Sequence, residues 1–411
     1  MTGSRENLAS PSRFITRPGL IIFSVAVILR LYLLFAVPLY PARGFVPGYN
    51  DEPLHLQYVM HMASGGGWPT WADSPDSLNY LTDAYIHPPT YYIISATVYR
   101  LFQHFNDGFG LYGARLVSML FGLTAGLFIY RTASLWFSDR RIAVGALAAG
   151  LLAPNAVIFT GVVTNDALLY CLAALAIHSL ALCRLGRGGA VREVLSGAFI
   201  AAAVWAKMSG LTLIPLAWFA APPQAPAGDR WLSRARVLLV AVMLIMPLLL
   251  RNVTNYGQLV PGQSTPLSEK YWPEQAVGVS GGALSHPLPA AATCLRLAAV
   301  PLMQAWGSFP EKSVSLMWVL FWGIVLGAGI HRSLFRPPRG YLFPAAVILV
   351  LTGFIWHNIR LYQVEFRLLT PAFPALATLS SLGADRLKMP PLLQALLWFL
   401  PILLLPVFYR I

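Results

Sequence analysis

The sequence predicts an all-α polytopic membrane protein with about eleven transmembrane helices, and three observations carry that reading. Of 411 residues, 57% are hydrophobic and only 11% charged, whereas a soluble domain carries about 25% charged residues. Stretches such as Gly19 to Tyr40, Val144 to Phe159, Ala235 to Leu250 and Leu392 to Tyr409 are apolar almost throughout. About 20 such residues in a helix cross ~30 Å of hydrocarbon. These runs are continuous and do not alternate, so helices, not barrel strands, satisfy the backbone in lipid.

The net charge of +13 raises nucleic acid as a partner, and the distribution of charge excludes it. Basic residues fall in short clusters between apolar runs, as the positive-inside rule requires, with no stripe to track a phosphate backbone. Cys171, Cys183 and Cys294 are odd in number and scattered, which suits small core residues and not a disulfide framework or metal site.

Taken in order, Arg5, Arg13 and Arg17 place residues 1–18 in the cytoplasm as a tail before the first span. That run exceeds the core of a cleaved signal peptide, so it reads as an uncleaved span. Residues 19–411 then form one transmembrane domain. Its first extracytoplasmic loop, 41–110, carries Asp51, Glu52, Asp73, Asp76 and Asp83 against the single base Arg43 up to His87, and a loop of this length is usually functional. Tyr91 to Phe105 reads as an interfacial helix. Making it a span would put Arg131, Arg140 and Arg141 outside. With Leu111 to Tyr130 as the second span, the alternation holds to the end: seventeen of the 29 basic residues fall inside with five of the 16 acids. A second outer loop spans 252–312. Arg30, deep in the first span, costs at least ~2.5–3.5 kcal/mol in lipid and must face protein, a water cavity or a phosphate.

Polar residues collect at the outer end. In Asn50-Asp51-Glu52-Pro53-Leu54-His55, Asn50 or Asp51 suits a helix cap and Pro53 the first turn. Asp51 and His55 share one face, with Tyr58 a turn further on. The bland reading makes Asp51 a cap and Glu52 a dipole partner. Asp83 and His87 lead into Pro88-Pro89-Thr90-Tyr91-Tyr92. Asn165-Asp166 lies between the third and fourth spans, Lys207 ends the fifth, Arg251 the seventh, and Glu365-Phe366-Arg367 opens the tenth. Singly, each base reads as a snorkelling anchor. Together, carboxylates and cations around one mouth suit an anionic lipid-linked substrate beside a general base. No Walker loop, dinucleotide fingerprint or HExxH is present, and the histidines show no tight ligand spacing.

Asn50-Asp51-Glu52-Pro53-Leu54-His55, His87-Pro88-Pro89-Thr90-Tyr91-Tyr92, Asn165-Asp166 and Arg367-Leu368-Leu369-Thr370-Pro371 together resemble motifs of membrane glycosyltransferases with the GT-C fold. The protein mannosyltransferases, the lipid A aminoarabinose transferase and their bacterial cousins are the nearest types. The resemblance implies a GT-C-like fold, in an enzyme of the inner cell membrane that takes a sugar from a polyprenyl-phosphate-linked donor. The acceptor would be an extracytoplasmic glycan, lipid or protein. It assigns Asp51 as catalytic base, Asp166 as a partner for acceptor or metal, and Arg367 as a donor-phosphate ligand. Glu52 joins Asp51 and Asp166 as a catalytic candidate. His55, Asp83, His87, Tyr91, Lys207, Arg251 and Arg367 are candidates for substrate binding. No cofactor is required by this reading and no metal ligand set is named, although a divalent metal stays open. The acidic pair usual at the second site is here Asn165-Asp166, which weakens the case for a metal. A transporter or lipid flippase is the alternative, favoured by intramembrane charge and disfavoured by the lack of repeats.

Overall fold

The computed structural model describes residues 15–36, 51–70, 84–261, 312–335, 341–360, 366–390 and 393. Among them every regular element is helical. The first span is α1 (Arg17–Ala36). Two short helices follow, α2 (Glu52–Ala63) and α3 (Thr90–Gln103), which pack on each other. The next are α4 (Gly110–Trp136), α5 (Arg140–Leu152), α6 (Pro154–Phe159), α7 (Asn165–Arg184) and α8 (Ala190–Ala206). A 3-10 segment, Met208–Phe219, leads to α9 (Ala227–Tyr256). Then come α10 (Lys312–Leu334), α11 (Leu342–Arg360), a 3-10 turn at Phe366–Ala372, and α12 (Phe373–Arg386).

Among the described residues four helices are long and apolar enough to cross a membrane: those at Arg17–Phe35, Asp107–Trp136, Asn165–Arg184 and Ala227–Tyr256. Burial sorts them. The α7 helix is central, packed on α4 and α8 and largely enclosed. In contrast, α1 and α9 present Ile21, Ile28, Phe35, Leu239, Met243 and Leu250 outward. Rows of exposed apolar side chains this long suit contact with lipid. Where α10 crosses α12, a Cβ on Gly383 would overlap the Val325 carbonyl, and one on Gly329 the Leu379 carbonyl. The two backbones touch there because both helices carry glycine at the crossing, the close approach that small residues permit in membranes.

Three expectations are corrected. Val144 to Phe159 reads as one run but is broken between α5 and α6, because Pro154 has no N–H and drives Ala153 out of the helical region (φ −58°, ψ 130°). The segment after Lys207 is 3-10 and not α-helical, with Pro215 inside it. The second outer loop, drawn from residue 252, begins later, since α9 runs on to Tyr256 and ends at Gly257 with φ +67°. The segment expected to be an interfacial helix is helical: α3 spans 14 residues and turns Tyr91, Tyr92, Ser95 and Ala96 inward.

The break at Pro154 explains Arg30. A helix end inside a membrane must have its freed carbonyls satisfied. The Tyr170 hydroxyl donates to the Gly150 carbonyl at 2.8 Å, the bond Pro154 cannot make. Arg30, fully buried, donates through Nη1 to Leu151 O at 3.1 Å, through Nη2 to Ala156 O at 3.3 Å and through Nε to Thr160 Oγ1 at 2.7 Å. The arginine faces protein.

Candidate active site

The site is built where α2, α3, the 160–164 turn and the end of α8 meet. Its foundation is Glu52. This carboxylate is 4% exposed and lies bidentate on the fully buried Arg115 of α4, with Nε–Oε1 and Nη2–Oε2 both 2.7 Å. Oε1 also accepts the Val163 N–H at 2.9 Å. Arg115 Nη1 reaches the Leu33 and Leu34 carbonyls (3.4 and 3.2 Å) in the last turn of α1. One ion pair thus ties α1, α2, α4 and the turn before α7, and every oxygen of Glu52 is engaged. Asp51, next in the chain, is partly exposed and makes no side-chain capping hydrogen bond. A cap is therefore not what its carboxylate is doing.

The second carboxylate is Asp166, 2% exposed at the start of α7. Lys207 Nζ donates to both its oxygens, at 2.9 and 2.8 Å. The neighbouring Asn165 donates through Nδ2 to the Ala206 carbonyl at 3.2 Å, an orphan acceptor at the end of α8. Asn165 and Asp166 together hold the point where α8 stops and the chain extends at Lys207 (φ −159°, ψ 138°).

A directed hydrogen-bond chain joins α2 and α3 to Asp166. Thr164 caps α7, accepting the Asp166 N–H at 3.3 Å, and its hydroxyl donates to Asp166 Oδ2 at 3.4 Å. With its one proton committed, Thr164 Oγ1 accepts from His55 Nε2 at 3.4 Å. His55 Nδ1 then accepts the Tyr92 hydroxyl at 2.7 Å. His87 stacks on His55 with centroids 5.8 Å apart, and Tyr58 on Tyr92 at 3.7 Å. Burial pushes the His55 imidazole well below its ordinary value, helped by His87 and Lys207. Burial and Lys207 likewise lower His87, to about 3. Both rings are neutral at physiological pH, so they orient partners and carry no charge.

The other candidates fall as follows. Tyr91 is fully buried, its hydroxyl 2.7 Å from Ser118 Oγ and accepting the Thr164 N–H at 3.0 Å; it braces the turn before α7. Arg251 lies over the Trp68 ring at 3.7 Å and donates to Pro69 O at 2.8 Å, fixing the loop after α2. Asp83 lies outside the described residues. So does the side chain of Arg367, whose backbone is in the 3-10 turn before α12. Arg115, Thr164 and Trp68 were missed. Arg115 carried a usable signal, a lone charge inside an apolar run, the same one that singled out Arg30. A divalent metal would fall to Asp166 under the resemblance. Both its oxygens are on Lys207, and among the described residues no three of His, Cys, Asp and Glu come together. This donor set does not fit a metal, and no step below runs through one.

The architecture is the GT-C membrane fold. A family model described as dolichyl-phosphate-mannose-protein mannosyltransferase matches residues 86–251. Among solved structures, ArnT from Cupriavidus metallidurans bound to undecaprenyl phosphate matches with a TM-score of 0.58 at 18% identity, covering 89% of this chain and 60% of that one. The apo oligosaccharyltransferase of Archaeoglobus fulgidus matches at 0.55 and 14% identity, covering 92% and 51%. AglB from Archaeoglobus fulgidus, in complex with an inhibitory peptide and a dolichol-phosphate, matches at 0.54 and 13%, with the same coverage. The chain therefore spans about half to three-fifths of the length of these relatives in fold. No curated protein sequence matches it.

Proposed function

We propose that this protein is an inverting membrane glycosyltransferase that moves a sugar from a polyprenyl-phosphate-linked donor to an extracytoplasmic acceptor, with Asp51 as general base. The observation that carries this is the arrangement at the start of α2: Glu52 is committed to Arg115 and the Val163 N–H, and the half-buried Asp51 beside it is the helix's N-cap residue without a side-chain capping bond, one turn from His55. His55, one turn on, links that helix through Thr164 to the Asp166–Lys207 pair. The acceptor hydroxyl oxygen attacks the anomeric carbon as the bond from that carbon to the phosphate oxygen breaks. The hydroxyl proton goes to the Asp51 carboxylate, and the bonding pair leaves with the phosphate, so configuration inverts. A phosphate leaving group needs cations more than an acid, a role for Arg251 and Arg367. Support for the donor class comes from the neighbours of the same fold bound to undecaprenyl phosphate and dolichol-phosphate.

The test is mass spectrometry of envelope glycans and lipid-linked sugars from a strain lacking the protein. One glycan should lose a sugar while the matching polyprenyl-phosphate sugar accumulates on the outer face. Accumulation confined to the cytoplasmic face would instead mark a flippase, and no change in either pool would sink both readings.

The same reading puts the site outside an inner membrane. In α7, α8 and α9 the site residues Asp166, Lys207 and Arg251 lie at one end, and Arg184, Glu193 and Arg236 at the other. The Arg236–Glu193 pair (2.9 Å) and the Arg332–Asp385 pair join groups that the charge rule assigns to a single side. With native cysteines removed, Ser64→Cys should react with a membrane-impermeant thiol reagent in intact cells and Ser138→Cys only after lysis. The reverse pattern would invert the topology.

A further inference from the structure

A cavity lined by arginines lies at the opposite end of the helices from Asp166. Arg184 ends α7, and Arg230 and Arg234 lie in the first turns of α9. With Trp218, Phe219 and Tyr341 they line an open cavity of about 500 Å³. Three guanidiniums sharing one wall repel each other, and Arg184 is close enough to feel both of the others. The hydrogen bonds of Arg230 and Arg234 go to backbone: Arg230 Nη1 to Pro223 O at 3.1 Å and Arg234 Nε to Trp218 O at 3.1 Å. Among the described residues neither takes part in a carboxylate ion pair. Arg234 is also stacked on Trp218, 3.8 Å from the ring centroid, which holds its fork in place.

The N-terminus of α9 beside the cavity has no side-chain cap, and its first turn carries the acid Asp229, so the three arginines and not the helix end carry the anion site. Trp218, Trp231 and Tyr341 are about half exposed there. Aromatic rings of this kind sit at headgroup depth in a bilayer. Asp166 and Arg184 lie near opposite ends of the 20-residue α7, about 27 Å apart at helical rise, so the cavity cannot be part of the site around Asp166.

We propose that this cavity binds the phosphate headgroup of an anionic phospholipid from the leaflet opposite the active site. Basic pockets between membrane helices bind such headgroups. The rings and the apolar flanks of α9 and α11 suit the upper acyl chains, and a soluble phosphate would leave them unused.

The experiment uses purified full-length protein, delipidated in detergent and titrated separately with phosphatidylglycerol and phosphatidylcholine under native mass spectrometry. Phosphatidylglycerol should be retained in preference. Arg230→Gln should lower that preference about fivefold, and Arg230→Gln with Arg234→Gln by about 25-fold, from about fivefold per basic residue at a surface. Arg230 is half-buried and its side-chain hydrogen bond is to the Pro223 carbonyl, so its single variant should keep the fold, checked by an unchanged unfolding temperature. Equal retention of the two lipids, or a preference unmoved by the variants, overturns the proposal. Displacement of phosphatidylglycerol by inorganic pyrophosphate would assign the cavity to a soluble anion and overturn the lipid as its ligand.

Discussion

Asp51→Asn is expected to reduce sugar transfer by about 10²–10⁴-fold, the usual contribution of a general base and about 3–5 kcal/mol of barrier. The amide keeps the shape and the helix-capping ability of the acid, and the wild-type carboxylate makes no capping bond in any case. The fold should therefore be untouched. Transfer by purified protein with a lipid-linked donor gives the rate, and donor binding measured in parallel should stay within about twofold, since the base acts on the acceptor. A rate within about tenfold of wild type falls below what a base contributes and would leave the proton to another group. Glu52 is poorly placed for it, with both oxygens committed to Arg115 and the Val163 N–H.

Arg115→Ala is the second large effect expected, and it falls on stability. Removing the guanidinium leaves the Glu52 carboxylate buried with one backbone N–H, and frees two carbonyls at the end of α1. Breaking a buried pair from one side costs about 3–5 kcal/mol. The double variant Arg115→Met with Glu52→Gln removes both charges and keeps most of the volume, so it should recover more than half of that loss. Thermal unfolding of the purified variants in detergent reads both effects. A single variant within about 1 kcal/mol of wild type would mean that water reaches Glu52, as at an exposed pair. Arg115→Lys keeps the charge and loses the fork, and it should fall between the two.

The all-helical membrane class was legible because apolar runs and basic clusters are properties of long windows, which a single residue does not disturb. The site was legible in part. Asp51, His55 and His87 in the first outer loop and Asp166 and Lys207 at span ends stood out as polar residues on one side, and four of them, His55, His87, Asp166 and Lys207, do come together. What could not be read was who pairs with whom. Glu52 looked like a dipole partner because Arg115 is 63 residues further on. Lys207 looked like a phosphate ligand because Asp166 is 41 residues earlier. Helical spacing fixes neighbours three or four apart. It is silent on contacts made by packing, and the Glu52–Arg115, His55–Tyr92 and Asp166–Lys207 contacts are of that kind.

Arg30 carries a consequence for how the chain is made. Its partners at Leu151, Ala156 and Thr160 lie 121, 126 and 130 residues downstream. At about 5–20 residues per second, the ribosome takes about 6–25 s to produce them. Through that interval the first helix sits in the bilayer with an unmatched guanidinium, at an insertion cost of about 2.5–3.5 kcal/mol. A fourth partner, the Ala26 carbonyl, one turn back on the same helix, is at hand from the start. Membrane integration of the first span and docking of the broken helix are therefore separate events in time. A nascent chain halted before residue 151 would carry Arg30 without its Leu151, Ala156 and Thr160 partners.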